Sequence, residues 1–125
     1  LHIVHVWSLF GEKALRGSRF KKKEDEINKL VKDAENHHRK LTDELLRYFP
    51  LSKINHKIHL PKGEPAELIP EIAEKEKIDL IVMGTVCRTG LPGFIIGNTA
   101  ESILHKVDCS VLSIKPHGFI SPVTL

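Results

Sequence analysis

The sequence predicts an α/β fold in three layers, helices on both faces of a parallel sheet, and three observations carry that prediction. Strand-like and helix-like segments alternate in the order strand, helix, strand, helix, strand, helix, strand, which implies crossover connections and a parallel sheet. One segment, Ile78–Met83, is apolar almost throughout, as expected of a parallel strand covered on both faces. A glycine-bearing stretch follows it and leads into a helix. In open α/β sheets that is where ligands bind, beyond the carboxyl ends of the strands.

The elements follow in order. Leu1–Trp7, rich in β-branched and aromatic residues, reads as a strand ending near Trp7. Ser8–Ser18, with two glycines and little periodicity, reads as a mobile connection. From Phe20 to Phe49 the apolar positions Ile27, Leu30, Val31, Ala34, Leu41, Leu45 and Phe49, with His38 among them, recur every three or four residues. That spacing puts a stripe on one face of a long helix, which Pro50 stops. Ile54, His56, Ile58 and Leu60 alternate with polar residues and predict a strand near a sheet edge. Gly63 and Pro65 turn the chain into a second helix through Leu68, Ile69, Ile72 and Ala73, with a kink expected at Pro70. A third helix is expected over Thr99–Val107 and a last strand over Ser110–Ile114. The whole is expected to be one domain over residues 1–115 with a tail at 116–125.

Composition bounds the function. A chain of 125 residues has room for one core. The formal charge of +3 is too small to argue for nucleic acid or an acidic membrane. The basic run Arg19–Lys23 is followed at once by Glu24, Asp25 and Glu26, the pattern of a solvated helix start. Cys87 and Cys109 lack metal or disulfide spacing, and no apolar run is long enough to span a bilayer. A reducing, cytoplasmic setting is expected, without nucleic-acid or membrane partners. The chain opens on an apolar run without an initiator methionine, so it is expected to be part of something longer.

The chemistry is expected in Gly84–Glu101. Phosphate is held by converging backbone N–H groups, which a helix start supplies with a favourable dipole, and glycine lets the backbone come close. Here Asn98 reads as the N-cap of the third helix, with Glu101 three residues on. Thr99 adds a hydroxyl, and Arg88 a planar fork suited to phosphate. The same spacing also fits a glycine loop before a capped helix with no ligand. It is neither a Walker A loop nor a dinucleotide GxGxxG pattern.

Gly84, two residues, position 87, nine residues and Gly97 resemble the nucleotide motif of the universal stress protein (UspA) family: Gly, two residues, Gly, nine residues, Gly, then Ser or Thr. Gly63-Glu-Pro-Ala-Glu, Ile78-Asp-Leu-Ile-Val-Met-Gly84, Gly97-Asn-Thr-Ala-Glu101 and Cys109-Ser-Val-Leu-Ser-Ile-Lys-Pro116 are each similar to their counterparts in that family. Gly84–Gly90 and the Pro116–Val123 tail look most like the C-terminal domain of tandem, E-type members. The resemblance implies a five-stranded parallel sheet in the order 3-2-1-4-5, of which this chain supplies the last four strands. The first strand and its helix would lie upstream of Leu1. The resemblance also implies ATP, with Val6 at the adenine or ribose, Met83 and Gly84 beside the nucleotide, and Gly97, Asn98 and Thr99 on the phosphates. The aspartate that ATP-binding members carry at the end of the first strand has no counterpart here. Two positions depart from the motif. Cys87 stands where the second glycine is expected, and Asn98 where Ser or Thr is. A non-nucleotide interaction domain of the same fold, its site spoiled by Cys87, is the alternative. The family further implies pairing through Ser110–Ile114, as a homodimer or with a tandem sister domain.

Other residues point to less. His2 and His5, and His56 and His59, are three apart in strands and so face opposite ways. No HExxH or Cys/His cluster is present, and no metal is expected. Cys87 beside Arg88 could be redox-sensitive, although no resolving cysteine lies nearby. No GxSxG elbow or general base is evident, so catalysis would at most be slow ATP hydrolysis.

Overall fold

In the computed structural model, residues 1–17, 24–84, 97–115 and 117–118 are described. They belong to two compact units, Leu1–Glu64 and Pro65–Leu125.

The first unit pairs β1 (His2–Val4) in parallel with β2 (Lys57–His59), in the register His2 to Lys57 through Val4 to His59. Trp7 and Lys62 extend the pairing as an isolated parallel bridge. The expected second strand over Ile54–Leu60 is thus shorter. Leu51–Lys53 form a 3-10 turn and Ile54 caps it, so the alternating residues before Lys57 belong to a turn.

Two helices lie between the strands. The expected mobile connection contains a short helix, α1 (Glu12–Gly17). It follows a turn at Gly11, whose φ of 77° suits a residue without a Cβ. Charge holds it in place. The Glu12 carboxylate accepts from Lys62 Nζ at 2.6 Å and from Arg16 Nε at 3.0 Å, and Arg16 reaches on to Glu24 and Asn28 of the next helix. Periodicity of apolar residues could not reveal a helix fastened by ions. Lys62 first, then Arg16, hold the Glu12 carboxyl below its ordinary value of 4.5. A depressed folded value means the contribution is complete above the unfolded value and is lost as pH falls through the folded one. Acidification below about pH 4.5 should therefore release α1, seen as loss of amide protection over residues 12–17, and Glu12→Gln should remove that pH dependence.

α2 (Glu24–Leu46) fulfils the long-helix expectation. It stops at Leu46, ahead of Pro50, and two turn bonds, Tyr48 N–H to Leu45 and Phe49 N–H to Leu46, follow it. Pro50 disfavours helix in the residue before it as well as at itself. The buried residues of this unit are Trp7, Ile27 and Thr42, and the Thr42 hydroxyl donates to the His38 carbonyl one turn back at 2.9 Å.

The second unit begins with α3 (Pro65–Lys75), where Pro65 takes the first helical position as expected. The helix continues through Pro70. Its end is a Schellman cap: Ile78 N–H donates to the Ala73 carbonyl at 2.8 Å and Lys77 N–H to Glu74 at 3.2 Å. Lys77 takes the left-handed conformation there, φ 53°, at a position that favours glycine. Lys77→Gly should raise stability by about 0.5–1 kcal/mol in urea denaturation, because relief of left-handed strain outweighs the freedom glycine adds to the unfolded chain.

β3 (Leu80–Gly84) pairs in parallel with β4 (Ser110–Ile114), Leu80 to Ser110 through Gly84 to Ile114. The strand therefore starts two residues later than expected, because Ile78 belongs to the helix cap. Coverage on both faces is not found: Leu80, Val82, Leu112 and Ile114 are each about half exposed, whereas Ile81, Met83 and Val111 are less so. Side chains alternate between faces along a strand, so one face of the pair lies open. α4 (Asn98–Leu104) packs on α3 and buries Ala100 and Ile103 beside the helix that buries Ala73. Lys106 Nζ bonds the Glu67 carboxylate across these two helices at 2.6 Å. α4 ends at Leu104, short of Val107, with His105 as its C-cap.

Candidate functional site

Five of the candidate residues are described in the second unit, two at the end of a strand and three at the start of a helix. Met83 and Gly84 close β3, at the carboxyl end of the β3–β4 pair. Gly84 lies opposite Ile114, and a Cβ built there would meet only the Ile114 carbonyl oxygen, at 3.9 Å. That is ordinary contact, and the backbone has no left-handed φ. Packing among the described residues does not demand a glycine at this point. Met83 is half-buried and Gly84 itself exposed.

Gly97, Asn98 and Thr99 lie at the start of α4. Asn98 was expected as the N-cap. Instead Gly97 holds that position, with extended backbone (φ −71°, ψ 146°), and Asn98 is the first helical residue. The physical reason is the first helical bond: Glu101 N–H donates to the Gly97 carbonyl at 3.0 Å, and the residue whose carbonyl accepts that bond is the cap. The N-cap Gly97 makes no side-chain cap bond, and a helix start in general leaves N–H groups to be satisfied by other partners. Thr99 is exposed.

Val6 belongs to the first unit, between β1 and the Trp7–Lys62 bridge, and is half-buried. Cys87 and Arg88 lie outside the described residues, as does the stretch from residue 85 to residue 96. Cys109 is a free thiol of intermediate exposure. The second unit also has an open groove of 520 Å³, lined among others by Glu67, Glu71, Glu74, Lys106, Ile78 and Cys109. Ile78 and Cys109 precede β3 and β4, so this groove lies at the amino ends of the strands, away from Gly84.

One arrangement escaped the sequence reading. Of the histidines three apart, His2, His5 and His59 each face an imidazole on another element, whereas His56 bonds the Ile54 carbonyl. His2 Nδ1 faces His59 Nε2 at 2.9 Å, between β1 and β2. His5 Nε2 faces His38 Nδ1 of α2 at 3.0 Å, and His38 lies on the Trp7 ring, centroids 5.5 Å apart and 24° between planes. The presence of His38 within the apolar stripe of α2 was the available signal.

Parallel strand pairs and the helices that connect them define a protein of α/β class. The sequence model of the universal stress protein family matches residues 1–115, and the chain belongs to that family. Among curated proteins it is 47% identical over 58 residues to the universal stress protein E homolog of Haemophilus influenzae, a match covering 46% of this chain and 19% of that one. The aligned stretch is thus about a fifth of that relative's length. Among solved structures, the hypothetical protein MJ0577, described under structure-based assignment of biochemical function, aligns with a TM-score of 0.75 and 23% identity, covering 94% of this chain and 76% of its own. The universal stress protein UspA from Lactobacillus plantarum aligns at 0.67 and 18% identity, covering 90% and 75%. These likenesses show a universal stress protein fold of α/β class. Among the described residues, no helix is long and apolar enough to cross a membrane.

Proposed function

We propose that this chain is a nucleotide-binding module acting in stress resistance, with ATP as its ligand. The observation that carries the reading is Gly84: a strand-end glycine that packing among the described residues leaves free to carry a side chain. Its bare backbone is suited to the close approach of a ligand. The α4 start supports it, since Gly97 caps without a side chain and leaves N–H groups for phosphate. The motif supports it too, with Gly84 and Gly97 at the family spacing and Arg88 between them. Val6, Met83, Cys87, Asn98 and Thr99 complete the proposed set. Among these residues none is a general base, so the module is a binder, with slow ATP hydrolysis as its upper limit.

In the same reading the strand pairs β2–β1 and β3–β4 are the outer pairs of the five-stranded order 3-2-1-4-5, in one domain over residues 1–115. The free edge of β4 pairs with a second copy or with a tandem sister domain, and the protein works in the cytoplasm. An exposed apolar edge of this kind needs a cover.

The test is a thermal melt of the whole protein containing this chain, with and without ATP. At a hundredfold excess over the dissociation constant, ATP should add about 2.7 kcal/mol to stability, and Gly97→Asp should remove the shift. No shift at millimolar ATP, together with binding gained in Cys87→Gly, would establish the degenerate interaction domain instead.

A further inference from the structure

α2 runs for 23 residues yet buries only Ile27 and Thr42. At its middle, His38 lies between two groups of the β1 segment: the His5 ring, nitrogen to nitrogen at 3.0 Å, and the Trp7 indole. Two imidazoles facing each other in this way share one proton. In the neutral pair one ring donates to the lone pair of the other. One added proton keeps the bond and makes it charge-assisted. A second sets N–H against N–H and two positive charges side by side, and the bond is lost.

We propose that His5 and His38 form a proton-operated latch, which holds the middle of α2 to the Trp7 end of the β1 segment and releases it when both rings are protonated. On α2, His37 meets His38 edge-on with centroids 5.9 Å apart, a further ring that can gain charge. On the same helix Glu35 bonds both Arg39 and Lys32 at 3.3 Å, one carboxylate between two cations. On the strand side lies the second shared-proton pair, His2 and His59 at 2.9 Å. The Trp7 indole N–H is committed to the Leu60 carbonyl at 3.1 Å. A protonated His38 alone is still attracted to the indole face, so protonation of His5 is the trigger.

Trp7 is the sole tryptophan of the sequence and reports the latch directly. The full chain should be titrated from about pH 8 to about pH 5, the range in which histidines ordinarily change charge. Release predicts a reversible red shift of Trp7 emission and greater access to acrylamide, in one step. His5→Gln cannot take the trigger proton, and His38→Phe keeps the stack without a proton; both should lose the step. A step unchanged in both variants overturns the latch. So does a wild-type titration in which intensity falls but emission maximum and acrylamide access stay fixed, because His38 then gains its proton without α2 letting go. Should either variant be unfolded at pH 8 by circular dichroism, ring-nitrogen NMR of the wild type decides. Coupled titration of His5 and His38 is expected, and two independent single steps overturn the proposal.

Discussion

Replacing Trp7 by alanine is expected to cost about 3–5 kcal/mol, a large part of the stability of any domain of this size. Trp7 is only 4% exposed. Its indole N–H bonds the Leu60 carbonyl at 3.1 Å, and its ring lies on His38. Truncation removes the apolar area, leaves a void the surroundings fill only in part, and strands a carbonyl. The backbone bonds at this residue, from its N–H to Pro61 and from Gly63 N–H to its carbonyl, survive the change. Trp7→Phe, which keeps most of the ring and loses the donor, should cost about 1–3 kcal/mol. Urea denaturation followed by far-ultraviolet circular dichroism measures both. A Trp7→Ala loss below about 1 kcal/mol would mean the ring is not a core group.

The second large effect is expected in the other unit. Ile103, 2% exposed, is buried on α4 where that helix packs against α3, with Ala100 and Ala73 as the other buried residues. Small partners cannot reach into a void, so Ile103→Ala should cost about 2–4 kcal/mol and Ile103→Val about 0.5–1.5 kcal/mol. The graded order is the signature of packing. Equal losses for the two variants would point instead to a disturbed backbone at α4.

Much of the fold was legible because it rests on local pattern. The three- and four-residue spacing from Ile27 to Leu45 located α2, Pro65 marked the start of α3, and Ser110–Ile114 was a strand as read. The errors share a cause. α1 has no apolar period, and its fastening comes from Lys62, fifty residues away. Asn98 is chemically a good cap, but the first helical bond falls on Gly97. Ile78–Met83 has the apolar content of a strand buried on both faces, yet content does not say whether a second layer is there, and Leu80 and Val82 stay about half exposed. Of the candidate site, Gly84 and Gly97 were legible through their spacing, while the geometry at Cys87 and Arg88 lies outside the described residues.

The sequence by itself determined the family, the α/β class and the order of elements, because motif spacing and hydrophobic period are properties of neighbouring residues. Only the tertiary structure decided which histidines meet. Spacing along a strand shows that His2 and His5 diverge, and it stops there. That His2 meets His59, and His5 meets His38 over Trp7, depends on parallel pairing of β1 with β2 and on the seating of α2. Both are long-range contacts, and a pair of imidazoles acquires its shared proton only when distant segments bring the nitrogens within hydrogen-bonding reach.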